Sequence, residues 1–113
     1  MHPQFICWNV RGLNNPAKRK AVRDFVSMVK VNLACLQEIK HDVTHHFVVM
    51  QCLGPSFDGY AYVPVIDIRG GILLVWDNTV LTLDNVHLNG NFLIGMLHRK
   101  VGQPWWIMVV YGP

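Results

Sequence analysis

Residues 5–14 read FICWNVRGLN, and residues 36–40 read LQEIK. In each stretch a short apolar run ends in a polar side chain, Asn9 in the first and Glu38 in the second. The segment between them has the length of one helix, which is enough to connect two parallel strands. Because parallel strands have their carboxyl ends at the same edge of a sheet, where open α/β sheets bind ligands, we expect Asn9 and Glu38 to meet there.

The composition is that of one globular domain or part of one. The chain has 113 residues, 51% hydrophobic and 15% charged, which is too apolar and too weakly charged for a disordered protein. Its formal net charge of +3 permits an anionic partner without requiring one. The N-terminus lacks the pattern of a signal peptide, and no apolar window has the length of a membrane span. We therefore expect an intracellular, non-membrane protein.

The cysteines and histidines do not form a recognisable metal motif. Cys7, Cys35 and Cys52 are odd in number, which favours buried or half-buried thiols in a reducing compartment over a disulfide framework. His41 and His45 have the i, i+4 spacing of a helical metal site, but no Cys-x-x-Cys pair accompanies them. We expect surface histidines rather than zinc ligands.

The predicted elements are a βαβ unit followed by strands. Residues 5–8 and 31–36 are apolar runs typical of buried strands, and Asn15 followed by Pro16 predicts the start of a helix between them. A shorter helix is predicted from residue 42 or 44 to residue 53. β-Branched and aromatic runs separated by turn residues then predict antiparallel strands at residues 60–65, 71–76, 80–88, 92–99 and 105–111.

The last of these runs is the most apolar. Residues 105–110 read WWIMVV, which is typical of a strand in the interior of a sheet. Trp105 and Trp106, like Trp76, are expected in the core or half-buried, with base stacking as a minor alternative. Since a domain seldom ends on such a strand, we expect the domain to be truncated at its C-terminus.

Four motifs in order carry a family resemblance: WNVRGL at residues 8–13, LQEIK at 36–40, RGGILLVW at 69–76 and VYGP at 110–113. Together they resemble the first motifs of the exonuclease-endonuclease-phosphatase family. The forms of the first two are most similar to those of the endonuclease domain of plant LINE-type (non-LTR) retrotransposons. Four ordered motifs at fitting spacings are more specific than any one alone.

The resemblance implies an α/β fold, a partial two-sheet α/β sandwich of the DNase I-like type. It would have a βαβ start followed by mainly antiparallel strands, and residues 1–113 would form a single partial domain. On this interpretation the strands of the chain belong to one sheet, and the missing half of the domain supplies the second. One apolar sheet face would then be exposed and favour aggregation.

The resemblance also implies roles for individual residues. Glu38 is similar to the family's carboxylate ligand for Mg²⁺ (or Mn²⁺). Asn9 is similar to the asparagine that supports the metal carboxylates and the phosphate, and Tyr111 to the tyrosine that contacts the scissile phosphate. The pair Gly70 and Gly71 resembles a structural turn into a central strand.

These roles agree with the chemistry of phosphodiester hydrolysis. The phosphate gathers negative charge, which a hard cation held by a carboxylate such as Glu38 stabilises, while Asn9 or the Tyr111 hydroxyl can hold a phosphate oxygen. None of the three activates water, and the family's later motifs, which carry the general base, have no counterpart in this chain. Arg11 stands where many family members outside the plant elements have an acidic residue, so that position is not assigned to the metal.

The implied function is Mg²⁺-dependent hydrolysis of DNA by a retrotransposon endonuclease, in a polyprotein that also contains a reverse transcriptase domain. A nuclear location would fit such a protein, and we expect the chain alone to be inactive. Two alternatives remain: a non-catalytic truncated retroelement remnant, and a phosphatase branch of the same fold. The plant forms of the first two motifs disfavour the phosphatase.

Ordinary structural interpretations exist for each of these residues. From spacing alone, Glu38 would be a solvated carboxylate at a strand end and Asn9 a turn cap; the four ordered motifs favour the functional roles. The dense basic cluster consists of Lys18, Arg19, Lys20 and Arg23. It is more typical of the solvated face of a helix than of a phosphate- or DNA-binding surface.

Overall fold

The computed structural model describes residues 4–9, 15–39, 53–64 and 71–110. In chain order its elements are β1 (Phe5–Asn9), α1 (Pro16–Val29), β2 (Leu33–Ile39), β3 (Gly59–Pro64), β4 (Gly71–Trp76), β5 (Leu81–Asn89), β6 (Phe92–Arg99) and β7 (Trp105–Val110). A first sheet has the strand order β1-β2-β4-β3 and a second has the order β5-β6-β7. The β1–β2 pair is parallel and the other neighbours are antiparallel. The predicted α/β class, with a βαβ start and antiparallel strands after it, is confirmed.

The helix α1 begins where the sequence predicts. Asn15 has an extended backbone, and its side-chain oxygen accepts a hydrogen bond from the Ala17 N–H at 2.9 Å. Pro16 occupies the first helical position, where no intrahelical N–H is needed. At the other end Lys30 adopts the left-handed conformation with φ 54°, and its N–H donates to the Val26 carbonyl oxygen. Both helix ends are therefore set by local backbone chemistry.

The buried stripe of α1 is narrow. Val22 and Val26, one helical turn apart, are buried, whereas the apolar residues Phe25 and Met28 are exposed although they recur at helical spacing with the valines. A helix that crosses a sheet contacts it along one stripe, and here that stripe is centred on the valines. No helix in the described ranges is long and apolar enough to cross a membrane.

The second strand begins and ends later than predicted. Residues 31 and 32 belong instead to the connection from α1. The Val31 N–H donates to the Val26 carbonyl oxygen at 3.3 Å, and the Asn32 N–H donates to the Gln4 carbonyl oxygen at 2.8 Å. The strand therefore spans Leu33–Ile39. Of the predicted helix that ends at residue 53, only its final residue falls within the described ranges.

The strand β4 is the centre of the core. Its side chains alternate between two buried clusters, one against α1 and one against the second sheet. Leu73 and Val75 belong to the α1 cluster, while Ile72, Leu74 and Trp76 face the second sheet. The second sheet contributes four leucines to the cluster between the two sheets, namely Leu81, Leu83, Leu93 and Leu97.

The expectation that all the strands belong to one sheet is therefore wrong. The chain leaves β4 through a turn in which the Val80 N–H donates to the Asp77 carbonyl oxygen at 3.0 Å, and the Thr79 N–H and hydroxyl both donate to the Asp77 carboxylate. After this turn β5, β6 and β7 pair with one another rather than with the first sheet, and their apolar inner face covers it.

Exposed apolar surface lies on the second sheet instead. Trp106, Met108 and Val110 of β7 are 62–64% exposed, and Trp105 is 38% exposed. The prediction that both tryptophans are core or half-buried is therefore wrong, by the larger margin for Trp106. In the described part of the chain β7 pairs with β6 alone, so no neighbour covers it on the other side. Trp76 is buried, as predicted.

Candidate active site

The parallel pair of β1 and β2 brings the backbones of Asn9 and Glu38 to one edge of the first sheet. Trp8 lies opposite Leu36 and Asn9 lies opposite Gln37, so Glu38 is one residue beyond the partner of Asn9. The sequence pattern predicts both residues just after their strands, whereas in the structure they are among the last residues of β1 and β2. The structure describes the backbones of Asn9 and Glu38 and not their side chains, and the roles of both remain predictions.

A β-bulge in β2 falls at Glu38. Gln37 pairs with Ile72 of β4, and Ile39 pairs with Gly71, the residue next to Ile72. Glu38 is therefore an extra residue in β2 that has no partner in β4. A bulge of this kind leaves one residue without a register partner and bends the strand, and bulges are over-represented next to active sites. The irregularity therefore interrupts the regular alternation of β2 at its one acidic residue.

Gly71 allows a close approach at the same edge. It pairs with Ile39 of β2 on one side and with Pro64 of β3 on the other. A Cβ at Gly71 would lie 2.5 Å from the Val63 carbonyl oxygen and 2.6 Å from the Tyr62 hydroxyl oxygen, so only glycine fits without a rearrangement. This agrees with the predicted structural role of Gly71 at the start of a central strand.

The same geometry places the Tyr62 hydroxyl near the edge that carries Glu38. Burial raises the pKa of Tyr62, which keeps the phenol protonated and able to donate a hydrogen bond at neutral pH. The sequence analysis did not single out Tyr62. The signal that could have found it is the antiparallel pairing of the strands on either side of residues 65–70, which places Tyr62 opposite Leu73, two residues from Gly71 on the same face.

The first turns of α1 point toward this edge. The end of the helix is tied to the opposite edge, because Asn32 and Gln4 exchange hydrogen bonds beside the start of β2. With 14 residues α1 is about 21 Å long, so its start lies toward the carboxyl ends of β1 and β2. Lys18 and Lys20 are exposed there, and the Lys20 ammonium forms an ion pair with Asp24 at 2.7 Å. Such an exposed ion pair contributes about 0.3–0.5 kcal/mol to the stability of the fold, and both side chains remain accessible to solvent.

Arg23 lies farther along α1 and lines a separate cleft. This cleft has a volume of about 410 Å³ and is also lined by Lys30 and Asp77. Asp77 follows the end of β4, which is antiparallel to β2, so the cleft lies at the opposite edge of the sheet from Glu38. The structure thus divides the predicted basic cluster, with Lys18, Arg19 and Lys20 nearer the candidate site than Arg23.

Several residues named in the sequence predictions fall outside the described residues. They are the predicted site residue Tyr111, Gly70 of the predicted turn, and His41, His45 and Cys52, which were not expected to bind a metal. Among the residues that the structure does describe, no group of three His, Cys, Asp or Glu side chains could hold a metal ion. The metal donor assigned by the sequence is the Glu38 carboxylate, which Asn9 would support by a hydrogen bond. One carboxylate fits Mg²⁺, which keeps several waters in its coordination shell.

Comparison with known proteins gives structural neighbours. No protein-family model matches the chain, and no curated protein does. A crystal structure of D. rerio TDP2 humanized by 14 mutations matches 91% of the chain with a TM-score of 0.62 and 17% identity. A second crystal structure, of D. rerio TDP2 complexed with single-strand DNA product, also matches 91% of the chain, with a TM-score of 0.56 and 17% identity.

These neighbours define the fold. The chain has a partial DNase I-like fold, with two sheets and few helices, as the sequence predicted. It spans 44% and 43% of the two TDP2 chains. At 17% identity the likeness concerns the fold alone, and the similarity to plant retrotransposon endonucleases remains a prediction from the motifs.

Proposed function

We propose that the chain is part of a divalent-metal-dependent DNA phosphodiester hydrolase, and more specifically of the endonuclease of a plant LINE-type retrotransposon. The observation that carries the proposal is the register of β1 and β2, which brings Asn9 and Glu38 to one sheet edge with a bulge at Glu38. The shared fold with a TDP2 complexed with single-strand DNA product supports DNA as the substrate. The retrotransposon assignment rests on the ordered motifs alone.

In this proposal each residue has a separate task. Glu38 binds Mg²⁺ or Mn²⁺ through its carboxylate, and Asn9 holds that carboxylate or a phosphate oxygen by a hydrogen bond from its amide. Tyr111 donates its hydroxyl to the scissile phosphate. When bound, the cation neutralises charge that develops on the phosphate during hydrolysis. A neutral hydrogen-bond donor at the phosphate adds to this stabilisation without any change in protonation.

The start of α1 supplies positive charge for the DNA backbone. Lys18 and Lys20 are exposed, and Arg19 is half-buried, on the helical turns nearest the proposed site. Lysine and arginine that neutralise phosphates release condensed counterions, so their contribution to affinity falls as the salt concentration rises. The basic residues would increase DNA affinity without selecting a sequence.

The proposal assigns no general base within this chain. We therefore expect the 113-residue chain alone to show no metal-dependent nicking of plasmid DNA. Cleavage by the purified chain that is lost in Glu38→Gln would contradict this expectation, and it would place the water-activating group within these residues.

A nicking assay on a full-length relative tests the proposed function. The glutamate that corresponds to Glu38 is changed to glutamine, which keeps the size of the side chain and removes the charge that the cation needs. We expect loss of most Mg²⁺-dependent nicking, while a control that removes a charge on the second sheet, corresponding to Asp84→Asn in β5, retains it. Full activity of the glutamine variant would refute the metal role of Glu38.

The same assay separates the alternatives. Release of phosphate from a phosphomonoester without plasmid nicking would identify the phosphatase branch of the fold. If a full-length relative with the intact motifs neither nicks DNA nor releases phosphate, a non-catalytic protein is the better interpretation. A retrotransposon endonuclease nicks plasmid DNA and leaves the phosphomonoester intact.

A further inference from the structure

Two cysteines face each other across the parallel strands of the first sheet. Cys7 of β1 and Cys35 of β2 are register partners, so their side chains leave the sheet on the same face. Their thiols are hydrogen-bonded to each other. Neighbouring strands lie about 4.8 Å apart, within the range of about 4.4–6.8 Å between Cα atoms that a disulfide requires.

The two thiols differ in accessibility. Cys7 is exposed, contrary to the sequence expectation of a buried or half-buried thiol, and Cys35 is buried with 3% of its surface exposed. A solvent-borne reagent therefore meets the Cys7 sulfur first, and Cys35 lies directly beside it on the inner strand.

The hydrogen bond between the two thiols also shifts their pKa values in opposite directions. The hydrogen bond from Cys35 lowers the pKa of Cys7 to about 7, against the opposing effect of its partial burial. The same hydrogen bond, together with burial and the charge of Cys7, raises the pKa of Cys35. As the pH rises through neutral, the thiolate therefore forms first on the accessible sulfur while the buried one keeps its proton, which is the arrangement of an attacking and a resolving cysteine.

We propose that Cys7 and Cys35 form a thiol–disulfide exchange site that reacts with low-molecular-weight disulfides at Cys7 and closes to a Cys7–Cys35 bridge. The Cys7 thiolate attacks one sulfur of the reagent, forms a mixed disulfide and expels the other sulfur as a thiolate. The Cys35 proton passes to that thiolate, and the Cys35 sulfur then attacks the Cys7 sulfur and expels the second reagent thiolate. The two cysteine sulfurs are oxidised by one electron each, and the reagent disulfide is reduced to two thiols.

The bridge would join the two strands that carry the candidate active site. Cys7 is two residues before Asn9, and Cys35 is three residues before Glu38. In the described part of the chain β1 is an edge strand that pairs with β2 alone, so a covalent link would hold it in its register. The proposal does not depend on the proposed nuclease function, because it uses the two thiols and their register only.

The test uses the full 113-residue chain with Cys52→Ser, so that only the two paired cysteines react. The chain is treated with 5,5′-dithiobis(2-nitrobenzoate) under native conditions, and the released thionitrobenzoate is followed by absorbance. We expect two thionitrobenzoates per chain and a product that carries no adduct. Its peptide map should contain a linked peptide joining residues 7 and 35.

Two variants assign the steps. With Cys35→Ser we expect one thionitrobenzoate released and one retained on Cys7, because no resolving thiol remains. With Cys7→Ser, an exposed substitution of similar size, we expect release at least about tenfold slower, because the remaining thiol is buried. A retained adduct in the chain with both cysteines, or equally fast release from Cys7→Ser, would overturn the proposal.

Discussion

Two strands of nearly identical character have opposite environments in this molecule. The strand β4, GILLVW, and the strand β7, WWIMVV, are each six residues long and contain no charged or polar side chain. All residues of β4 are buried, whereas β7 has four exposed and two half-buried residues. The difference arises from neighbours. The strand β4 has a strand on each side and a layer on each face, whereas among the described residues β7 has one strand beside it. Apolar sequence identifies a strand, and the elements around the strand decide how far it is buried.

Truncating one side chain in each strand should give the largest contrast. Leu73 of β4 has no exposed surface and packs in the α1 cluster, whereas Met108 of β7 is 62% exposed. We expect Leu73→Ala to lower the free energy of unfolding by about 2–5 kcal/mol, because it leaves a cavity. Met108→Ala should change it by no more than about 0.5 kcal/mol. Urea denaturation of the two variants measures both values, and equal losses would contradict the difference in burial.

Glycine-to-alanine substitutions, one in each sheet, test the packing by adding a methyl group rather than removing side-chain volume. Gly71→Ala places a Cβ 2.5 Å from the Val63 carbonyl oxygen, while Gly95→Ala in β6 meets its nearest atom, on Val86, at 3.4 Å. We expect Gly71→Ala to cost about 1–3 kcal/mol through overpacking. Gly95→Ala should be close to neutral, because alanine fits the space and loses less backbone entropy than glycine. Thermal unfolding measures the change in stability of both variants. No loss of stability in Gly71→Ala would contradict the close packing around Gly71.

A charge on β7 should change association more than stability. Met108→Lys puts an ammonium group on the outer face of the second sheet, among Trp106 and Val110. Because charged residues on edge strands oppose pairing between chains, we expect less aggregation, measured by light scattering as a function of protein concentration. The unfolding free energy should change by no more than about 0.5 kcal/mol. Unchanged aggregation would mean that another surface drives association.

The sequence predicted what local chemistry determines. The cap formed by Asn15 and Pro16, the crossover between two apolar runs and the turn beginning at Asp77 all depend on residues close together in the chain. The division into two sheets was not predicted, because strand pairing depends on contacts between distant residues. For the same reason Trp106 was expected in the core or half-buried, although it is 64% exposed.

The candidate site was predictable in part. The order of strand, helix and strand was enough to expect Asn9 and Glu38 at one edge, and their backbones lie there. The bulge at Glu38 and the approach of Tyr62 to Gly71 were not predictable from periodicity, because both arise from the pairing of β2 and β3 with β4. The exposed thiol of Cys7 was missed because an apolar run does not indicate which of its residues lies on an uncovered edge strand.

The central claim is that the edge carrying Asn9 and Glu38 binds a divalent cation. Mn²⁺ added to the ¹⁵N-labelled chain tests this most directly, because the ion broadens the amide resonances of nearby residues whether or not the chain is active. We predict selective broadening at Asn9, Gln37 and Glu38 that is lost in Glu38→Gln and retained in the control Asp24→Asn. Broadening that is absent at this edge, or unchanged by Glu38→Gln, would contradict the claim.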